Sequence, residues 1–430
     1  MAITPVGYRP RLLDSVLDRR LETFAAVEVK GTKFCGKTWT SEAHGESIVH
    51  LDDDAVRSMA DVDVTLALEG EQPHVIDEWQ DLPKVWDAVR RRADESGNRP
   101  GEFILTGSSS VDYSAVSHSG AGRIAELFMR PMSLAESGES NGSVSLADLF
   151  EGRFAQGAAV SNVRDLARFI CRGGWPALVG RGDATPDLAA QYLNALFTVS
   201  AEKAGLDGHE ARRVAVSLAR NMGKTVTYRT LYEDAFGARS EKKTNPSMYQ
   251  QRVAPFLRFF EQQYFTEDQD GWDAPVKARS RVRTKPKRTF VDPSLPAALL
   301  GLSPERLLAD GQVFGNLFEE LCLRDLRVYA SALGCIPDPA LRYYADADGL
   351  EVDAVLELPD GRWGAFEIKL SEEKAEQGAA SLLRLRDKVA ANPASRSPEP
   401  SFLAVLVGKS TFRRRLPSGV VVVPITCLRP

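Results

Sequence analysis

Short apolar runs alternate with segments of helical periodicity in the first third of the chain, from about residue 8 to residue 134. The apolar runs lie at 25–29, 74–77 and 102–106, and the helical patterns lie at 12–24, after Thr38 and near 82–93. Strands that alternate with helices are typical of a parallel sheet covered by helices. This part of the chain is therefore predicted to be a parallel α/β domain.

The next part of the chain is predicted to be mostly helical. A stretch rich in Ser and Gly at 137–145 predicts a loop, and the segment 163–203 has a helical pattern that Arg172-Gly-Gly-Trp-Pro176 interrupts. We interpret this segment as a small helical lid that follows the α/β domain.

Three further helical patterns, at 210–222, 228–236 and 246–260, precede a strongly basic segment that runs from Lys277 to Arg288. Basic residues recur there at every second position, which places them on one face of an extended strand. Three helices followed by a basic hairpin is the order of a winged helix-turn-helix, whose wing can lie along nucleic-acid phosphates. A solvated hairpin, or a basic strap against the acidic remainder of the protein, fits the same pattern.

The last third of the chain predicts a second α/β domain. A helix is predicted at 311–332 and strands at 341–344, 350–358, 363–370 and 402–407. The second and third of these strands are alternating runs separated by Pro359-Asp-Gly361, and Asp-Gly between alternating runs indicates a β-hairpin.

The amino-acid composition limits the classes of protein to which this chain can belong. With 430 residues, 43% apolar and 26% charged residues and a net charge of −5, the chain is expected to form two or three globular domains. No stretch approaches the length of a membrane span, and the N-terminus lacks a secretory pattern. The five cysteines are scattered, which favours neither a zinc site nor a disulfide framework, so we expect a cytoplasmic protein without membrane partners.

The first predicted strand runs into Gly31-Thr-Lys33-Phe-Cys-Gly36-Lys37-Thr38, which fits the phosphate-binding pattern G-x-x-x-x-G-K-T. Its glycines let backbone N–H groups surround the β- and γ-phosphates, its lysine neutralises their charge, and its threonine offers a hydroxyl to Mg²⁺. A glycine-rich turn that matches by accident is the alternative. We predict ATP and Mg²⁺ as cofactors, bound by Gly31, Thr32, Lys33, Cys35, Gly36, Lys37, Thr38, Trp39, Asp77 and Thr106.

Two further strands are predicted to end in polar residues that would complete the nucleotide site. Asp77 follows the apolar run at 74–76 and is expected to hold the Mg²⁺ shell together with Thr38, while Glu78 is expected to orient the attacking water. Thr106 ends the third strand, where a sensor of the γ-phosphate belongs. An ordinary strand-terminating turn explains Thr106 equally well.

The C-terminal hairpin carries a second candidate site. Asp353 lies in one strand, and Glu367 and Lys369 share a face of the next. Two carboxylates and a lysine that converge across a hairpin can bind a divalent cation, through Asp353 and Glu367, and activate water at a phosphodiester. A half-buried hairpin with an ordinary Glu/Lys ion pair is the alternative.

Taken together, several of these motifs resemble a family of bacterial and archaeal AAA-type ATPases whose ATPase core is followed by a C-terminal domain of unknown function. The resemblance covers nearly the whole chain and is carried by Tyr8-Arg-Pro-Arg-Leu-Leu-Asp14, the loop that ends at Thr38, Asp77-Glu78-Trp79-Gln80, Leu105-Thr-Gly-Ser108 and His118-Ser-Gly-Ala-Gly-Arg123. This sequence has Thr32 where the family pattern leads us to expect proline.

The resemblance implies further site residues. The C-terminal domain of such proteins looks like a PD-(D/E)XK restriction-endonuclease fold, and the matching residues here are Glu319, Asp353, Glu367 and Lys369. The resemblance also implies an arginine that acts on the γ-phosphate, from the same chain or from a neighbouring subunit of a homo-oligomer. Arg123 and Arg130 are the candidates.

The expected organisation is thus a P-loop ATPase core at 1–140, a helical lid at 141–205, a winged-helix-like domain at 206–295 and a nuclease-like domain at 296–430. Two functions fit this organisation. In the first, ATP hydrolysis gates a metal-dependent nuclease while the basic hairpin holds DNA. In the second, the protein is an ATP-dependent switch whose nuclease-like domain recruits a partner without cutting.

Overall fold

The computed structural model of the protein describes residues 3–108, 119–181, 187–237, 246–273, 285–334, 341–393 and 395–430. The chain forms two compact units. The first consists of Met1–Pro131, Trp175–Ala177 and Phe260–Phe265, and the second of Met132–Gly174, Leu178–Phe259 and Thr266–Pro430.

The first unit contains a five-stranded, entirely parallel sheet, which confirms the predicted parallel α/β domain. Two of its strands, β2 and β5, were not predicted from the apolar pattern. Its elements in chain order are α1 (Asp14–Leu21), β1 (Ala26–Lys30), α2 (Lys37–His44), β2 (Ser47–His50), α3 (Asp54–Val62), β3 (His74–Asp77), α4 (Lys84–Glu95), β4 (Phe103–Gly107) and β5 (Ile124–Phe128).

The strand order of this sheet is β2-β3-β4-β1-β5, so β4 separates the strand that enters the glycine-rich loop from the strand that ends at Asp77. Side chains alternate between two apolar cores, one on each face of the sheet. Val27 and Val29 belong to one core, and Ala26 belongs to the other. Because both faces are covered, β3 and β4 are buried along their whole length and β1 is buried up to its last residue, as is typical of parallel sheets.

The middle of the chain is helical, and its three predicted helices at about 210–260 are present as α9, α10 and α11. The elements in chain order are β6 (Val144–Ser145), α5 (Leu146–Phe150), β7 (Gly157–Ser161), α6 (Val163–Arg172), α7 (Asp187–Ala195), a π-helical turn (Leu196–Ser200), α8 (Ala201–Lys203), α9 (Gly208–Arg220), α10 (Tyr228–Phe236) and α11 (Pro246–Gln262).

A two-stranded antiparallel sheet of β8 (Thr266–Gln269) and β9 (Lys287–Phe290) follows these helices. Most of the predicted basic hairpin, including Lys277, lies outside the described residues. At its described end, Lys287 is buried and Arg288 is half-buried. Lys287 therefore does not belong to a cationic edge that could lie along nucleic-acid phosphates, and its contact with Glu351 fits the alternative of a basic strap against acidic residues.

The C-terminal part contains a mixed sheet with the order β10-β11-β12-β13-β14, to which β7 adds along β13. The predicted hairpin is present as β11 and β12, which are antiparallel, whereas β12, β13 and β14 are parallel. The elements are α12 (Ser294–Leu299), α13 (Pro304–Ala309), α14 (Gly311–Ala332), β10 (Leu341–Ala345), β11 (Glu351–Glu357), β12 (Trp363–Ser371), α15 (Ala375–Ala390), β13 (Phe402–Arg415), β14 (Val421–Pro424) and β15 (Leu428–Arg429).

Helices α14 and α15 both contact β12, so the strand that carries Glu367 and Lys369 is held between helices. One apolar core joins α15 to β11, β12 and β13 through residues such as Leu382, Val355 and Val405. Within the described ranges of the chain, every helix is too short or too polar to cross a bilayer.

Candidate functional site

The loop from Gly31 to Thr38 leaves β1 at the carboxyl edge of the parallel sheet. A Cβ atom at residue 31 would lie 2.1 Å from the carbonyl oxygen of Met129, so only glycine fits there. Gly36 has a φ of 104°, a left-handed conformation that favours glycine, and α2 starts directly after it. Both glycines of the pattern thus have a steric or conformational reason to be glycine at these positions of the fold.

Lys37 and Thr38 begin helix α2 beside this loop. Lys37 is buried, and its Nζ donates a hydrogen bond to the carbonyl oxygen of Thr32 at 3.1 Å, across the loop. The hydroxyl of Thr38 donates to Oδ1 of Asp77 at 3.1 Å. The structure therefore brings the lysine, the hydroxyl and the carboxylate of the predicted site together at the N-terminus of one helix, where the helix dipole favours an anion.

The Asp77 carboxylate also has hydrogen-bond partners on two neighbouring strands. The hydroxyl of Thr106, at the end of β4, donates to Oδ1, and Nδ1 of His50, at the end of β2, lies 3.2 Å from Oδ2. The parallel register explains this arrangement, because Ile76 pairs with Leu105, directly before Asp77 and Thr106, and His50 pairs with Asp77. The carboxyl ends of β2, β3 and β4 and the start of α2 thus meet around one carboxylate.

Glu78 lies next to this cluster in a left-handed backbone conformation, with φ of 52°. Its Oε2 accepts from the hydroxyl of Ser108 at 3.0 Å and from the side-chain amide of Gln80. Its own backbone N–H donates to the hydroxyl of Thr106 at 3.3 Å. Glu78 is thus fixed at the carboxyl edge of the sheet, beside the Asp77 cluster.

The other predicted loop residues take different positions. Lys33 and Trp39 are exposed, whereas Thr32 is fully buried. The side chain of Cys35 belongs to the apolar core, and its thiol lies 3.5 Å from the carbonyl oxygen of Met129. A contact of the Cys35 side chain with a nucleotide is therefore excluded, and only its backbone faces the loop.

The two candidate arginines lie at opposite edges of the sheet. Arg123 comes directly before β5 and pairs with Asp94 at 2.8 Å, so it lies roughly 15 Å from the loop, across the length of the parallel strands. Arg123 therefore lies too far from the loop of its own chain to act on a γ-phosphate there, and its predicted role stays a prediction for a neighbouring subunit. Arg130 follows β5, at the same edge as the loop, and its guanidinium covers the Phe128 ring at 4.7 Å.

Sequence reasoning missed two residues of this site, Arg11 and His50. Arg11 donates from its buried guanidinium to the carbonyl oxygens of Cys35 and Arg130. The motif that contains Arg11 was noticed only as part of a family resemblance. His50 ends a strand that the apolar pattern did not predict, so no sequence signal linked it to Asp77.

The C-terminal carboxylates also converge in the second unit. Nζ of Lys369 lies 2.5 Å from Oε2 of Glu367 and 3.4 Å from Oδ2 of Asp353, and the backbone N–H of Ile368 donates to the same Asp353 oxygen at 2.8 Å. The three residues lie together because β11 and β12 are antiparallel neighbours. The predicted constellation is thus present as a lysine held between two carboxylates.

Glu319, on α14, belongs to the same cluster, which also contains a residue that sequence analysis assigned elsewhere. Nζ of the buried Lys287 contacts Glu351 and lies 4.0 Å from Oε1 of Glu319. Gly223 borders the cluster, since a Cβ atom there would lie 3.3 Å from Oε2 of Glu319. In the sequence, Lys287 is marked only by its place in the basic segment, which did not predict a contact with these carboxylates.

The titration of these groups reflects their burial. Burial, followed by the charge of Asp353, raises the pKa of both Glu319 and Glu367 to about 8. Burial lowers the pKa of Lys369, but the charges of Asp353 and Glu367 outweigh it and raise that pKa above its usual value. Burial thus favours the neutral forms of the two glutamates, whereas the neighbouring carboxylates favour the charged form of Lys369.

The two sites differ in how they suit a metal ion. At the loop, the Thr38 hydroxyl and the Asp77 carboxylate are oxygen donors of the kind that Mg²⁺ takes alongside phosphate oxygens and water. In the C-terminal cluster the donors are also oxygens, but Lys369 binds both strand carboxylates. Across the part of the chain that the structure describes, no three His, Cys, Asp or Glu side chains are grouped so that they can hold a metal ion.

Comparisons with known proteins agree with the loop geometry. Residues 23–138 match the family model of an AAA domain, residues 163–306 that of a domain of unknown function (DUF8612), and residues 314–428 that of another domain of unknown function (DUF4143). The first match includes the loop, Asp77, Glu78 and Thr106. The N-terminal part of this chain is therefore similar to an AAA domain.

Solved structures show only distant likeness. The Walker-type ATPase PABY2304 of Pyrococcus abyssi is 12% identical over 69% of this chain and 97% of its own, with a TM-score of 0.42. The ORC1 protein of Aeropyrum pernix, solved in complex with DNA, is 15% identical over 70% of this chain and 95% of its own, with a TM-score of 0.22. At such TM-scores these likenesses carry no argument. No curated protein matches the sequence.

Proposed function

We propose that the N-terminal domain binds ATP with Mg²⁺ and hydrolyses it. The observation that carries this proposal is the convergence of Lys37, Thr38, Asp77, Glu78 and Thr106 at the carboxyl edge of one parallel sheet. In open α/β sheets, ligands bind in the crevice outside the carboxyl ends of the strands. A loop that merely turned the chain would not need a buried lysine aimed across it.

Each residue has a role in this proposal. The Lys37 ammonium exchanges the Thr32 carbonyl for phosphate oxygens, which are stronger partners because they are charged. Thr38 and Asp77 would hold Mg²⁺, which supplies charge neutralisation at the phosphates when bound. Glu78 orients the attacking water and accepts its proton, while Thr106 holds Asp77 in place.

The direct test is phosphate release from ATP by the full chain, measured with Mg²⁺ and again with excess EDTA. Turnover that depends on Mg²⁺ supports the proposal. Failure to bind ATP in a calorimetric titration would overturn it.

We further propose that ATP hydrolysis is coupled to a nuclease-like C-terminal domain that binds or cuts DNA. The support is the cluster of Asp353, Glu367 and Lys369 with Glu319, on the elements expected from the family resemblance. In this proposal the basic segment from Lys277 to Arg288, apart from the buried Lys287, contacts DNA phosphates, and Lys369 stabilises the developing charge on the phosphodiester.

A second candidate function has an observation in its favour. Lys369 binds both strand carboxylates, and the described residues contain no three-ligand metal group. These facts favour an ATP-dependent switch whose C-terminal domain is a partner-binding scaffold without nuclease activity. Supercoiled plasmid incubated with the protein, ATP and Mg²⁺ or Mn²⁺ separates the two, because only the nuclease produces nicked DNA.

Self-association is the last part of the proposal. Arg123 is partly exposed at the edge of the sheet remote from its own loop, so it can reach a phosphate only in a neighbouring subunit. A homo-oligomer in which Arg123 completes the adjacent site would show mixed-subunit complementation between Lys37→Ala and Arg123→Ala chains. Lack of any ATPase activity in such mixtures, with both variants folded and associated, would contradict this role.

A further inference from the structure

The guanidinium of Arg11 connects two segments that border the phosphate-binding loop. Arg11 is only 7% exposed. Its Nη1 donates to the carbonyl oxygen of Cys35 at 2.9 Å, and its Nη2 donates to the carbonyl oxygen of Arg130 at 2.7 Å. Cys35 lies inside the loop, whereas Arg130 follows the adjacent strand β5. One side chain from the N-terminal segment therefore fixes the loop against the neighbouring strand.

Arg11 is itself held in place by the turn that precedes α1. Its backbone N–H donates to Oδ2 of Asp14 at 2.8 Å, and the hydroxyl of Tyr8 donates to Oδ1 of the same carboxylate at 2.7 Å. The Tyr8 hydroxyl also lies 3.1 Å from the hydroxyl of Thr40, on helix α2. The segment that positions Arg11 is thus tied to the helix that begins at the loop lysine.

The charge of Arg11 lies against the loop backbone. A Cβ atom at Gly36 would lie 3.7 Å from Nη1, which is van der Waals contact. A loop of this kind binds phosphate with its backbone N–H groups, so its carbonyl oxygens have to be directed elsewhere. A carbonyl that accepts from a buried guanidinium cannot rotate toward a phosphate without leaving a buried donor unpaired. A buried positive charge near the loop also strengthens its attraction for phosphates.

We propose that Arg11 is a positioning residue for nucleotide phosphates. It holds the Cys35 carbonyl away from the phosphate site and adds positive potential beneath the loop, without touching the reacting atoms. This inference rests on the proposed ATP binding and extends it to the N-terminal segment.

The test compares the dissociation constants of the full chain for Mg-ATP and Mg-ADP, measured by calorimetry. The variants are Arg11→Gln, Arg11→Lys and, as a matched control on the exposed face of α1, Arg19→Gln. Arg11→Gln is expected to raise the dissociation constants of both nucleotides by about tenfold or more, since both contain phosphates that the loop surrounds. Arg11→Lys keeps the charge and can reach one carbonyl, so it is expected to restore part of the affinity.

Catalysis and stability are measured beside binding. The turnover rate at saturating ATP is expected to fall by a smaller factor than the affinity, because Arg11 does not contact the transferred phosphoryl group. A purely structural role would lower the melting temperature and leave both dissociation constants unchanged well below that temperature, which overturns the proposal. If Arg11→Gln does not fold, unchanged affinities in Arg11→Lys overturn it instead. A wild-type chain that binds no ATP contradicts the proposed function itself, which is a separate result.

Discussion

The hydroxyl of Ser108 lies 3.0 Å from Oε2 of Glu78, so the carboxylate that we assign to water activation is held by the end of the neighbouring strand. The backbone N–H of Ser108 lies 3.3 Å from the same oxygen. These bonds set the direction of the Glu78 carboxylate before any nucleotide arrives. Preorganisation of this kind reduces the reorganisation that the reaction requires.

Glu78→Gln is expected to keep ATP affinity within a few-fold of wild type and to lower turnover by a factor of about 10² or more, because an amide cannot accept a proton from water. Calorimetry and phosphate release measure the two quantities. Glu95→Gln, at the exposed end of α4, serves as the control. Undiminished turnover in Glu78→Gln would remove this residue from the water-activating role.

Lys37→Ala is expected to weaken ATP binding by about 10- to 100-fold or more, because it removes the buried ammonium that reaches across the loop. The loss should be smaller for a nucleotide without its terminal phosphate. Arg91→Ala, on the exposed face of α4, controls for removal of a positive charge from the same unit. ATP affinity that stays within a few-fold of wild type would show that the loop is misinterpreted.

The sequence was sufficient to predict those features of the fold and the sites whose residues lie close together along the chain. The loop from Gly31 to Thr38, the Asp77–Glu78 pair and the hairpin with Asp353 and Glu367 each have a local pattern. Strand β2 has only a short pattern, because Ile48 and Val49 are the only apolar residues among its four, so the strand was not predicted and His50 was missed.

The contacts made by the tertiary fold were not predictable in the same way. Arg11 reaches Arg130 across 119 positions of sequence, and Lys287 enters the carboxylate cluster from a segment that looked like a solvent-facing basic strand. The direction of β5 decides which edge Arg123 occupies, and this depends on sheet topology rather than on the glycines around that residue. Local sequence patterns thus predicted the main residues of the two candidate sites. The topology of the sheets determined which other residues contact them.

Lys369→Met tests the C-terminal cluster. In the nuclease interpretation it is expected to abolish metal-dependent nicking of supercoiled plasmid, because it removes the ammonium nearest to Asp353 and Glu367. The double variant Asp353→Ala/Glu367→Ala should give the same result, and Lys374→Met, an exposed lysine just after β12, should nick as wild type does. Absence of nicking by the wild-type chain, with several DNA and RNA forms and with or without ATP, supports the scaffold interpretation.

Glu28 predicts a pH dependence of stability in the N-terminal unit. Its side chain is buried in the middle of β1, where Oε1 accepts from the indole of Trp79 at 3.1 Å, and burial raises its pKa to about 7. A carboxyl group whose pKa is raised on folding favours the folded state below its unfolded pKa of 4.5, and this stabilisation is lost as the pH rises through 7.

Glu28→Gln is therefore expected to remove a pH-dependent loss of stability on the order of 1–3 kcal/mol between pH 5 and pH 8. The quantity to compare is the change in unfolding free energy with pH, because the amide also alters the local hydrogen bonding. The transition of the N-terminal unit is identified as the one that Mg-ATP shifts. An equal pH dependence in wild type and Glu28→Gln would show that this carboxyl titrates normally.

The buried ion network of Arg324 predicts a large stability effect in the second unit. The guanidinium donates to Oδ1 of Asp325 at 2.7 Å and to Oδ2 of Asp292 at 2.9 Å, and all three side chains are almost fully buried. The two carboxylates also accept backbone N–H groups, from Leu134 at 3.1 Å and from Gly174 at 2.9 Å. Both carboxylates therefore hold backbone segments far from them in sequence.

Arg324→Met is expected to destabilise the second unit by about 3–5 kcal/mol, because it leaves two buried carboxylates without their counter-charge. Calorimetric unfolding measures the effect, with Arg342→Met on the exposed side of β10 as the control. Combining Arg324→Met with Asp292→Asn and Asp325→Asn removes all three charges while keeping acceptors for Leu134 and Gly174. This triple variant should recover part of the lost stability. A triple variant less stable than Arg324→Met alone would show that loss of the ion pairs themselves, rather than the unpaired carboxylates, causes the loss of unfolding free energy.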